Sequence, residues 1–213
     1  MPAFSSGMVY RLFMVLPLIL FALSAHEFMH AYVSRRLGDP TAEREGRLTL
    51  SPFAHLDPIG TLVLVWSSLT GFGFGWAKPV PINPAYYRNP VRGVFQVSLA
   101  GPLTNLALAV PFGLAVRFAP LPYDQGWAIR LLEVLWYGMG INLGLFLFNL
   151  IPLAPLDGSK VLAYFLRGST RERFTRLQPY GPLILLMLYA TRVIEPLLQW
   201  PFGLLSRLLT GLG

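Results

Sequence analysis

The chain has no cysteine. Disulfides and thiolate metal sites are therefore excluded, and the absence by itself says nothing about compartment. Charge is scarce too. Asp, Glu, Lys and Arg make up 13% of the 213 residues, about half of the roughly 25% usual in soluble domains. Acidic residues are the rarer sign, 10 against 17 Lys and Arg, which leaves a net charge of +7. Internal repeats, low-complexity tracts and an appended soluble domain are not evident. What fills the chain instead is apolar: 54% of residues are hydrophobic and the mean hydropathy is +0.53. Such a composition is not that of a disordered chain and argues against an ordinary soluble domain. The 20 Gly and 19 Pro require frequent helix breaks, without the G-X-Y period of collagen. The basic residues are scattered among apolar runs, so no nucleic-acid partner is expected; in a membrane protein they mark a cytoplasmic face.

The apolar runs predict an all-α polytopic membrane protein in the lipid bilayer, a single domain over 1–213 with its core in 8–166. Met8 to Val33, Val94 to Val116 and Ile129 to Ile151 are each long enough to cross a hydrocarbon core of about 30 Å. A last apolar segment lies at about 179–200, and the tail from Trp200 reads as an amphipathic surface helix. A signal peptide ending near Ala22-Leu23-Ser24 is the rival reading of the first run, but the following residues continue a helix. Ile59 to Trp76 carries Gly60, Gly71, Gly73 and Gly75 and either crosses as a fifth span or enters and leaves on one side. The positive-inside rule favours the re-entrant form. With 59–76 not crossing, twelve Lys and Arg share one side and five remain on the other or at its edges. The expectation is four full spans plus one re-entrant segment. Alternation around Arg47, Leu48, Thr49 and Leu50 predicts a short β-hairpin or strand near 43–50. Recurring prolines keep Lys78 to Pro84 out of regular helix.

The first span contains His26-Glu27-Phe28-Met29-His30. Positions i and i+4 of a helix share a face, so both imidazoles can reach one ion, with Glu27 beside them to take a proton from a metal-bound water. Zinc suits this set, since it accepts His nitrogen and leaves a position open for water. A carboxylate in an apolar span costs about 2.5–3.5 kcal/mol unless paired, so the cluster is not an idle accident. A third protein ligand is needed. The candidates are His55, Asp57, Asp39, Glu133 and Asp157. Asp157 stands out, because Pro152 and Pro155 unwind the chain ahead of it and allow it to turn back into the core. A metal transporter would also place His and Asp in spans, but several ligand sets or an internal repeat are then expected.

HEFMH (26–30), AGPLTN (100–105) and NLIPLAPLDG (149–158), with RLGDPTAEREGRLTLSPFAHLDPIGT (36–61) and GWAKPVPIN (75–83), resemble the site-2 proteases, the intramembrane zinc metalloproteases, in their compact bacterial branch. The resemblance runs from the first span to about residue 166. It implies that His26, His30 and Asp157 ligate one catalytic Zn²⁺ and that Glu27 is the general base. Asn149 matches the family's Asn that hydrogen-bonds the oxyanion or substrate carbonyl. Asn105 reads first as a helix-packing residue, and His55 as an outer or packing residue. The implied reaction is peptide hydrolysis within or near membrane segments, by Glu-assisted attack of zinc-bound water. The implied substrate is a membrane protein or leftover signal peptide with a locally unwound transmembrane segment. The implied location is the bacterial inner membrane, with the site nearer the cytoplasm. Gly46–Leu50 and the KPVPINP stretch are expected to pair with the extended substrate as an added strand.

Overall fold

The computed structural model describes residues 6–70, 77–120, 122 and 124–212. Regular structure among them is helical, apart from one isolated bridge between Leu56 and Ala77. Among the described residues three helices are long and apolar enough to cross a membrane: Leu12–Arg36, Pro90–Phe118 and Gly126–Asn149. The first belongs to α1 (Ser6–Arg36); the others are α5 and α6. At 1.5 Å per residue each exceeds the roughly 30 Å of a hydrocarbon core. Large side chains such as Phe13, Phe21, Leu114, Phe118 and Trp127 face outward, as a lipid-facing surface requires.

Helix α5 lies at the centre, packed on α1, α6, α7 (Asp157–Phe165) and α10 (Ile194–Thr210). Its buried positions Gly93, Val97, Gly101, Asn105, Ala109 and Gly113 recur every four residues. Small residues on such a row let backbones approach closely. A Cβ at Gly113 would meet Leu209 Cβ at 2.6 Å, and one at Gly138 of α6 would meet the Phe112 ring at 2.6 Å. Ala109, Met139 and Leu143 form the core between α5 and α6, closed by Phe202, Leu205 and Leu209. The tail from Trp200 packs one side on the bundle through Phe202, Leu205 and Leu209, while Trp200, Leu204 and Leu208 of α10 stay exposed.

The hairpin expected at 43–50 is not there. Thr41–Arg44 forms one helical turn, α2, and 45–50 runs through turns and bends. Gly46 takes φ +66°, and Arg47 N–H donates to Ala42 O at 2.7 Å. The alternation has another cause. Arg47 is buried because its Nη2 donates to Lys78 O at 2.6 Å and Pro79 O at 3.3 Å, while Leu48 packs on Ala31, Ala42 and Val80.

In the 59–76 segment, α4 (Pro58–Thr70) is 13 residues long, about 20 Å, and the glycines at 71, 73 and 75 lie outside the described residues. It starts where Asp57 Oδ1 accepts the Gly60 N–H at 2.7 Å, a capping bond. The last apolar segment is not one straight span. Helix α9 (Gly181–Ala190) ends, Arg192 turns left-handed at φ 58°, and α10 leaves at 80° to the preceding helices. The fold-back lets Leu185 and Ile194 bury together against Leu156. Among the described residues there are three candidate spans, or four if the bent pair crosses as one, beside the expected four full spans and one re-entrant segment.

Candidate metal centre

His26 and His30 lie ten and six residues before the end of α1, about 15 and 9 Å from it. Asp157 arrives from the turn after α6. That turn is tight: a Cβ at Gly158 would collide with the carbonyls of Leu150 and Ile151, and one at Gly181 with Ala154. Asp157 sits in the first turn of α7, where the helix dipole favours a carboxylate.

The three side chains converge. His26 Nε2 and His30 Nε2 are 3.0 Å apart, and Asp157 Oδ2 lies 3.1 Å from the first and 3.0 Å from the second. All three residues are buried, and together they form a group that could hold a metal ion. Ligand atoms around tetrahedral zinc at about 2.0–2.1 Å are about 3.3 Å apart, so this triangle fits to within a few tenths of an ångström.

The outer ring nitrogens fix the tautomers. His30 Nδ1 lies 2.7 Å from Val97 O, which can only accept, so Nδ1 carries the proton. His26 Nδ1 lies 2.6 Å from Asn105 Oδ1. That amide cannot be turned round: its Nδ2 donates to Ala22 O at 3.2 Å and Asn142 Oδ1 at 3.0 Å. Asn142 in turn donates to Gly138 O at 2.9 Å. His26 therefore also donates through Nδ1. Both Nε2 lone pairs and a carboxylate oxygen then point at one another. Three electron pairs so placed repel unless a positive charge lies between them.

A cavity of about 140 Å³ opens over this group, lined also by Glu27, Val80, Ser98, Asn149, Pro155 and Lys160. Glu27 Oε2 accepts the Val80 N–H at 2.9 Å. Lys160 Nζ stands 3.4 Å from Asp157 Oδ1, the oxygen turned away from the imidazoles. Asn149 donates to Leu145 O at 3.0 Å, which leaves a second amide hydrogen and Oδ1 at the cavity wall. Ser98 Oγ is buried without a hydrogen-bond partner among the described residues. A Cβ at Gly101 would collide with both imidazoles, at 2.5 Å from His26 Nε2.

The other ligand candidates lie elsewhere. Asp39 accepts from Ser34 Oγ, Thr41 and the Asn83 N–H. Burial pushes its carboxyl up, but these bonds outweigh it and hold the group below its ordinary value of 3.8. Glu133 accepts from Tyr10 and Arg130. His55 is buried with Nε2 on Thr49 O at 2.8 Å and Nδ1 without a partner among the described residues. Asn105, read from sequence as a packing residue, orients a candidate ligand; its polarity on a face of small residues was the available signal.

The description "Peptidase family M50" matches residues 121–189, which carry Asn149 and Asp157. YwhC of Bacillus subtilis, which carries a zinc metalloprotease name, is 36% identical over 197 residues, covering 89% of this chain and 84% of that protein. The chain belongs to peptidase family M50, the site-2 proteases. The enzyme is a zinc metalloprotease by family. Rip2 of Mycobacterium tuberculosis, with the same kind of name, is 32% identical over 188 residues, 86% of this chain and 68% of that protein. A relative from Methanocaldococcus jannaschii is 33% identical over 141 residues, 65% of this chain and 63% of that protein. No solved structure matches. Membership in the family and the apolar helices make this M50 protein a multi-pass membrane protein.

Proposed function

We propose that the enzyme hydrolyses peptide bonds within or beside transmembrane segments of membrane proteins or leftover signal peptides. His26, His30 and Asp157 would hold one Zn²⁺. The observation that carries this reading is the convergence of two Nε2 lone pairs and Asp157 Oδ2 with both Nδ1 protons committed outward. Bound there, zinc supplies Lewis-acid polarisation and makes water acidic near neutral pH. The rest of the chemistry belongs to the chain. Glu27 takes the proton of the attacking water and returns it to the leaving amine; Val80 N–H orients its carboxylate. Asn149 turns its free amide hydrogen to the substrate carbonyl oxygen. Lys160 holds the second oxygen of Asp157 and so aims the first.

The reaction lies in the bacterial inner membrane, nearer the cytoplasm. The support is the position of His26 and His30 within about 15 Å of the helix end that carries Arg35 and Arg36. The substrate is locally extended, since a helix hides its own carbonyls. Strand addition is confined to part of the Lys78–Pro84 stretch. Gly46–Leu50 is not a strand, and Lys78 O, Pro79 O, Val80 N–H and Asn83 N–H are already engaged. Among the described residues, Val80 O, Pro81 O and the backbone of Ile82 are the groups left.

The test is cleavage of a transmembrane substrate in liposomes, with zinc content read on the same samples. Glu27→Gln is expected to keep one zinc and lose at least 10²-fold in rate. Asp157→Ala is expected to lose the metal. Equal zinc in Asp157→Ala and wild type would remove Asp157 from the ligand set. Undiminished cleavage by Glu27→Gln would remove Glu27 as the base.

A further inference from the structure

A second cavity, about 560 Å³, lies where α1 ends and α5 begins. Its lining includes Arg36, Arg88 and Arg92, with Tyr87, Asn89 and Gly93 among the rest. Its floor is built: a Cβ at Gly93 would meet Tyr87 Cγ at 2.7 Å, and Tyr87 is buried with its hydroxyl 2.6 Å from Ser34 Oγ. No carboxylate among the described residues lines it. Among the described residues the three arginines have no acidic partner, whereas neighbouring Arg35 pairs with Glu43 at 2.5 Å. Asn89 caps α5 by accepting the Arg92 N–H at 3.0 Å, so the positive end of a 29-residue helix faces the same region.

We infer that this cavity binds the phosphate headgroup of an anionic phospholipid. Three guanidinium groups on one concave surface repel one another, and a bound anion relieves that repulsion. Arginine's planar fork matches phosphate oxygens in pairs. The volume lies within the range of small-molecule sites, about 300–1,000 Å³. Position selects lipid over free phosphate. Arg36 is the last residue of one candidate span and Pro90 the first of the next, so the arginines stand at headgroup level, where basic pockets between membrane helices recruit anionic lipids. Tyr32, one turn before Arg36 on the same face of α1, is exposed and lies 6.0 Å from the Arg36 guanidinium. It offers apolar surface to the acyl stem beneath the phosphate.

The test uses the full chain in detergent micelles, with a fluorescent phosphatidylglycerol as probe and phosphatidylcholine or inorganic phosphate as competitor. Wild type is expected to prefer phosphatidylglycerol over phosphatidylcholine at least tenfold. R88Q/R92Q and R36Q, both on exposed positions, are expected to lose most of that preference. R173Q/R176Q, which removes equal charge from the exposed helix at 168–177, is expected to keep it. Retained preference in R88Q/R92Q and R36Q, or equal loss in R173Q/R176Q, overturns the site. Displacement of the probe by inorganic phosphate at the lipid's own concentration overturns the lipid assignment and makes the cavity a free-anion site.

Discussion

Replacing Gly101 with Ala tests the metal centre without touching a ligand or a proton carrier. Gly101 is buried in α5, against the face of α1 that carries His26 and His30. An added Cβ would lie 2.5 Å from His26 Nε2 and 2.6 Å from His30 Cε1. Ordinary contact begins near 3.4 Å, so each ring must retreat by about 0.9 Å, several times the roughly 0.2 Å tolerance of a zinc–ligand distance. The rings cannot swing freely, because Val97 O and Asn105 hold their outer nitrogens. At least a tenfold loss of zinc affinity is expected, the scale of an outer-shell lesion or worse. Helix propensity acts the other way, since Ala is favoured over Gly by up to about 1 kcal/mol. A chelator-competition titration of purified protein reads the affinity, and a thermal melt in excess chelator reads the fold. Gly144→Ala is the control: that glycine is helical with nothing within 4 Å of its Cβ position, so zinc affinity should not move. Wild-type zinc affinity in Gly101→Ala would refute the placement of the ion between these rings.

Three further outcomes follow from the same contacts. Asn105→Ala frees His26 Nδ1 and should lower zinc affinity about 10- to 100-fold, read by the same titration; unchanged affinity would reduce Asn105 to packing. Ser98→Ala deletes a buried hydroxyl that has no partner, so thermal stability should hold or rise by about 1 kcal/mol; a loss of that size would mean the hydroxyl is bonded. Asp39 has a folded value below 3.8, so its share of stability is present above that pH and is lost as pH falls through the folded value. The stability gap between wild type and Asp39→Asn should therefore narrow on acidification below about pH 4, as followed by melts at several pH values; a gap independent of pH would refute it.

Much of the bundle was legible because its signals are local. Apolar length marks α1, α5 and α6, and an i, i+4 spacing puts two imidazoles on one face. The approach of Asp157 could be read because prolines stop α6 in a predictable place. What escaped depended on partners distant in sequence. Arg47 alternates with apolar residues like a strand residue, but it is buried by carbonyls at 78 and 79. The apolar run at 179–200 has the composition of a span, and its break follows from burial of Ile194 against Leu156. Asn105 shares its row with glycine and alanine, and only the position of Ala22, Asn142 and His26 around it reveals a fixed amide.

The bend at 191–193 bears on the turn that carries Asp157. Leu156, pinned between Leu185 and Ile194, is the residue before Asp157, and Gly181 presses on Ala154 in the same turn. The segment after residue 180 therefore works as a buttress for one corner of the His26–His30–Asp157 triangle. Cutting the chain there removes more than membrane contact: it lets the turn recoil and takes the carboxylate with it. Metal retention becomes a gauge of whether the last two helices are seated, and a shortened chain that keeps both histidines should lose its ion first and its helices later.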